Sequence, residues 1–180
     1  NINGDGLHVY IADNINGAWT HKRIDGDIYG LSVLFDDDGK IYAIHKYGNV
    51  TCTQLKPDLS GSVEGSERVI IPEGNAMGEG HHIYKINGMY YIISADYSPM
   101  GRMQCARSKS IFGPYETCVI SARESFGYSA ACTTDNVSLG SPIPDEGFKF
   151  TQNKPAPNVL SASTIHQGGI VQAEDGKWWG

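Results

Sequence analysis

Glu79 stands between Gly78 and Gly80 in the stretch NAMGEGHHIYKI, residues 75–86. The glycines let the backbone bend and let a ligand approach closely, and a carboxylic acid held there can give or take a proton. The bland alternative is a solvated loop glutamate, and on composition alone it wins, because most glutamates are surface residues. His81 and His82 follow directly. Neighbours on a strand point to opposite faces, so the two cannot share one metal ion; one is expected to line a pocket and the other to pack inside. His166, in STIHQGGIV, is either an axial ligand contact or a hydrogen-bonded core histidine. The triple Asp36-Asp37-Asp38 is contiguous rather than alternating and lacks a Glu at EF-hand spacing, so turn solvation is its expected role. No GxSxG, HExxH or phosphate-loop pattern occurs, which leaves serine hydrolase, zinc protease and nucleotide-binding chemistry without a starting point.

What must position these residues is a repeated sheet unit. LFDDDGKIYAI, YKINGMYYII and GIVQAEDGKWW each read as strand, tight polar turn, strand, because Asp38-Gly39, Asn87-Gly88 and Asp175-Gly176 tolerate the positive φ of a hairpin turn. Three hairpins of one type are expected. VTCTQL follows the first, and MQCARS then GPYETCVI follow the second, which makes four strands per unit. Gly39 and Gly88 are 88 − 39 = 49 residues apart, near the period of roughly 40–50 residues of a four-stranded propeller blade. The fold expected is all-β, a β-propeller of which this chain is a fragment covering about two and a half to three blades. Residues 1–25 supply the outer strands of a first blade, 26–65 a second, 75–120 a third, 121–163 an insertion and 164–180 the start of a fourth. Four-stranded sheets are expected within residues 31–56 and 80–120.

Composition bounds the partners. A hydrophobic fraction of 40% with 22 glycines and 10 tyrosines fits an ordered, turn-rich β protein, and no apolar run is long enough to span a membrane. A formal net charge of −6 disfavours a nucleic-acid backbone as partner. Cys52, Cys105, Cys118 and Cys132 form no CxxC pair; Cys105 and Cys118 fall on neighbouring strands and are read as small buried side chains. The sequons at Asn49 and Asn136 carry little weight, and the oligomeric state is not set by the sequence.

Strand parity gives function a location. In an antiparallel blade the start of strand one and the end of strand two share one face of the disc, as do the start of strand three and the end of strand four. Counting back nine residues from the turn glycine reaches Gly30 and Glu79, and ten back from Gly176 reaches His166. These three should converge on one face. The loops 45–48 and 96–101 and the long insertion surround the same mouth, as a wall around an axial pocket.

Taken together, LSVLFDDDGKIYAIH, GNAMGEGHHIYKINGMYYIISADY, CARSKSIFGPYE and STIHQGGIVQAEDGKWW resemble glycoside hydrolase family 43, the five-bladed β-propeller enzymes that include β-xylosidases and α-L-arabinofuranosidases. The resemblance implies an inverting glycosidase acting on xylose- or arabinose-containing plant polysaccharides or oligosaccharides. It implies Glu79 as general acid and His166 as the histidine that helps hold a structural calcium ion on the axis, an ion the chemistry itself does not require. Rings at the mouth, with His81, Tyr97 and Phe126 foremost and Tyr128 or Phe148 beside them, are the expected sugar contacts. A secreted or periplasmic location is expected, with a cytoplasmic one open. Two departures stand out. The strand that should carry the general base Asp lies outside this chain, and the acidic residue of the second blade is replaced by Gly30 in Tyr29-Gly30-Leu31-Ser32. Glycine can neither orient the acid nor supply the like charge that favours its protonated form. A carbohydrate-binding propeller that has lost catalysis, and a purely structural propeller, are therefore the alternatives.

Overall fold

In the computed structural model of the chain, residues 6–74, 77–96, 102–119 and 169–179 are described, and all of them lie in strands, turns or loops. β1 (Leu7–Ile11) and β2 (Thr20–Ile24) form an antiparallel pair. β3 (Ser32–Phe35), β4 (Ile41–His45), β5 (Val50–Leu55) and β6 (Arg68–Ile71) form a four-stranded antiparallel sheet in chain order. β7 (Glu79–Ile86), β8 (Met89–Asp96), β9 (Arg102–Ser108) and β10 (Glu116–Val119) form a second sheet of the same design, and β11 (Val171–Gln172) pairs with β12 (Trp178–Trp179). These meanders are the blades of a β-propeller. Residues 97–101 and the expected insertion 121–163 lie outside the described residues, and so do Tyr97, Phe126, Tyr128, Phe148 and His166.

The second meander occupies the span expected of it. The first does not: residues 31–56 hold three strands, and the fourth is Arg68–Ile71, beyond the boundary at residue 65. A polar return loop separates them, folded on itself by bonds from Lys56 N–H to Gly61 O (2.8 Å) and Val63 N–H to Gln54 O (2.8 Å). The short strand after it carries too little alternation to stand out in the sequence.

The hairpins are of two kinds rather than one. Asp36–Lys40 and Ala173–Lys177 share one pattern, with the first residue bonded to the fifth and the glycine N–H bonded back to the first carbonyl, at 2.8–3.0 Å. Between β7 and β8 the turn is tighter. Asn87 and Gly88 both adopt positive φ, 51° and 77°, between the paired residues Ile86 and Met89, which is the two-residue turn whose twist matches the strands.

Alternation along β4 shows how the layers stack. Tyr42 and Ile44 face a cluster with Val50, Cys52, Ile70, Ile83, Tyr90, Ile92 and Ala106 between the two meanders. Ile41 and Ala43 face the opposite way, toward Ile24, Ile28 and Leu55 beside the β1–β2 pair. All of β4 is buried, as expected of a strand sandwiched between layers. The innermost strands lie side by side: Ile83 N–H donates to Ser32 Oγ at 3.1 Å, and Ile170 N–H donates to the Tyr84 hydroxyl at 2.7 Å. Cys105 and Cys118 are direct register partners on β9 and β10.

One sequence expectation is overturned at the seam between meanders. Asp36 is not a solvated turn residue. Its side chain is 2% exposed and accepts from Lys85 Nζ (2.5 Å) and the Tyr90 hydroxyl (2.6 Å) on the neighbouring sheet. The triple is divided by role, since Asp37 is 86% exposed and Asp38 bonds its own turn at Lys40 N–H and the Tyr42 hydroxyl.

Candidate active site

Glu79 opens β7, the first strand of its meander. Register shifts between Glu79 and His82, where Gly80 adopts a φ of 63°. A bulge of this kind bends the strand and re-aims the side chain beside it. The glycine after Glu79 thus has a definite job: it supplies the left-handed conformation that a bulky residue would strain to adopt. Met77 and Gly78 are buried on the way in, and the Glu79 side chain is left half-buried.

Gly30 sits against this turn, as strand parity requires. Its carbonyl accepts from His81 N–H at 3.1 Å, and a Cβ built on it would lie 3.8 Å from Glu79 Cβ and 3.3 Å from Gly80 N. Gly30 itself has a φ of 66°. Lys46, just after β4, closes the third side: its N–H donates to the Tyr29 carbonyl at 2.7 Å. The ends of β4 and the starts of β3 and β7 therefore meet at one pole of the sheets, and the Asp36–Lys85 pair marks the other.

Contact with the acid comes from a residue that spacing did not single out. The Tyr29 hydroxyl donates to Glu79 Oε2. Register placed Gly30 beside Glu79 and so put Tyr29 within reach, but the direction of its ring depends on the backbone at Gly30, which sequence does not display.

His81, expected at the substrate, stands behind the acid. It is 1% exposed, and both ring nitrogens are engaged, Nε2 by the Lys46 carbonyl at 2.7 Å and Nδ1 by Ser94 Oγ at 2.6 Å. A carbonyl only accepts, so Nε2 carries the hydrogen and Nδ1 accepts from the serine. Burial holds this imidazole below its ordinary value of 6.5, against the opposing pull of the Lys46 carbonyl and the Glu79 charge. The ring ties the loop after β4 to β7 and β8. His82 points to the other face, where a Cβ on Gly169 would meet its Nδ1 at 3.0 Å. His45 is likewise inside, 1% exposed and bonded through Nε2 to Thr53 Oγ1 at 2.8 Å; burial first, then the Lys46 charge, push it down to about 4.

Among the described residues no three His, Cys, Asp or Glu side chains stand together as a metal site, and His166 lies outside them. The described residues do not by themselves supply a calcium donor set. Nor is any described helix long and apolar enough to cross a membrane.

Known proteins match this chain along most of its length. The sequence model of Glycosyl hydrolases family 43 matches residues 2–124. A non-reducing end alpha-L-arabinofuranosidase of Bacteroides ovatus is 27% identical over 97% of this chain and 28% of its own length. A beta-xylosidase of Bacillus subtilis is 28% identical over 61% of this chain and 23% of its own. Among solved structures, a bifunctional GH43-CE protein of Bacteroides eggerthii superposes with a TM-score of 0.65 at 27% identity, covering 95% of this chain and 18% of that one. The chain thus spans about a quarter of the length of these curated relatives.

Proposed function

Because the chain belongs to glycosyl hydrolase family 43, we propose that it carries the general acid of a glycosidase acting on arabinose- or xylose-containing plant polysaccharides or their oligosaccharides. The observation that carries this reading is the setting of Glu79. It is half-buried at the head of an innermost strand, re-aimed by a glycine bulge and faced by the start of the neighbouring blade. A proton donor so placed protonates the glycosidic oxygen as the bond to the anomeric carbon breaks. The inverting route also needs a second carboxylate roughly 6.5–9.5 Å away to activate water from the opposite face; we place that base outside residues 1–180. The relatives named as an arabinofuranosidase and a xylosidase support this substrate class.

Hydrolysis of aryl arabinofuranosides and xylosides by the protein from its complete reading frame tests the reading, with the first-formed anomer followed by proton NMR. Release of the sugar with inverted configuration is expected. Oligosaccharide binding without hydrolysis would favour a carbohydrate-binding propeller that has lost catalysis, for which Gly30 is the specific support. Neither binding nor hydrolysis would remove both.

A further inference from the structure

We propose that Tyr29 is a positioning residue for Glu79 and that its phenol decides which carboxyl oxygen carries the transferable proton. The inference rests on the reading of Glu79 as general acid and assigns a partner to that group. The Tyr29 hydroxyl donates to Oε2. An oxygen already facing a donor is a poor place for a second hydrogen, so the protonated carboxyl holds its proton on Oε1 and accepts the phenol's bond at Oε2. When the glycosidic bond breaks, that proton passes from Oε1 to the leaving oxygen, the bonding pair departs with the same oxygen, and the carboxylate left behind keeps the phenol bond. Charge-assisted bonds are the stronger kind, so the contact tightens as the proton leaves.

The backbone holds the pair in place. Tyr29 C=O is bonded to Lys46 N–H, and Gly30 C=O to His81 N–H, so the loop bearing the phenol and the strand bearing the acid are strapped together on both sides. His81 is itself fixed through Lys46 and Ser94. The left-handed bend at Gly30 is the hinge between Tyr29 and β3. Tyr29 is 44% exposed, which leaves the pair open to a ligand.

The test compares Tyr29→Phe with the parent, both as full-length protein, on aryl glycosides of high and low leaving-group ability across pH. A positioning role predicts a loss of about tenfold or more in kcat where the leaving oxygen needs a proton, drawn from the roughly 10²- to 10⁴-fold worth of acid catalysis. KM should hold, the alkaline limb of the pH profile, where a general acid loses its proton, should move, and the dinitrophenyl glycoside, which leaves without help, should be spared. Equal losses on both substrates with a raised KM would overturn the proposal in favour of a direct sugar contact; no change would make the bond idle. A parent that hydrolyses nothing would remove the acid reading itself. In that case tyrosine labelled at the ζ carbon still decides the contact: the resonance missing in Tyr29→Phe should shift in Glu79→Gln, and a fixed resonance would show that the bond does not form.

Discussion

At Gly30 a φ of 66° coincides with a close approach to Gly80 and Glu79, and the two facts pull a substitution in opposite directions. An aspartate there would set a carboxylate against the acid and favour its protonated form, yet it would enter a left-handed conformation that costs an ordinary residue about 1–2 kcal/mol, less for Asp. Gly30→Asp is therefore expected to raise hydrolysis of poor-leaving-group glycosides while lowering Tm by a few degrees. Gly30→Ala should lower Tm alike with no gain, which separates charge from strain. An aspartate variant no more active than the parent would mean that a second carboxylate is not what limits the acid. His45 makes a second prediction. Its folded value, about 4, lies below the 6.5 of an ordinary histidine, so the unfolded chain binds more protons between those limits and stability falls as pH drops from 6.5 toward 4. At 1.36 kcal/mol per unit the loss is on the order of 2–3 kcal/mol, and His45→Gln should flatten the pH dependence of chemical denaturation in that window. Glu79 and Gly30 were legible because the repeat register brings them together. Tyr29 and the inward turn of His81 were not, since a bulge and a left-handed glycine reset which way neighbours face.

The elements were legible wherever a turn dipeptide announced them. Asn87-Gly88 fixes its hairpin to the residue, and Asp175-Gly176 places the last one equally well. β6 escaped because four residues after a long polar loop carry almost no periodic signal. Asp36 escaped for a different reason: a turn acid looks alike in sequence whether water or a lysine on the next sheet solvates it. Desolvation pushes its carboxyl up, but bonds from Lys85, Tyr90 and the Asp37 N–H together with the Lys85 charge hold it below 3.8. A carboxyl depressed on folding contributes stability above the unfolded value and loses it as pH falls through the folded one, so the seam weakens below about 3.8. Removing one partner of a buried pair is costly, about 3–5 kcal/mol when wholly buried; Lys85 is 21% exposed, so a smaller loss, about 2–3 kcal/mol, is expected for Asp36→Ala. Lys85→Met, which strands the more deeply buried carboxylate, should cost at least as much as Asp36→Ala, which leaves Lys85 paired with Asp37 at 3.1 Å, and the double variant should cost less than the sum of the two in urea denaturation. Strict additivity would mean that the sheets are not locked there.

Across the whole molecule, stacked antiparallel meanders put the starts of β3 and β7 and the end of β4 at one pole, and the pattern of Gly-turn repeats was enough to foresee this convergence. The expected wall of the pocket, residues 97–101 and 121–163, lies outside the described residues. The central claim is that Glu79 gives the proton that frees the leaving group. In the full-length protein, Glu79→Gln keeps the shape of the side chain and removes its proton, and the measurement is kcat/KM for a series of aryl arabinofuranosides or xylosides of graded leaving-group ability. A loss of roughly 10²- to 10⁴-fold is expected for the poorest leaving groups, shrinking toward none for dinitrophenyl, with the fold intact by circular dichroism. A uniform loss across the series, or none at all, would contradict the claim.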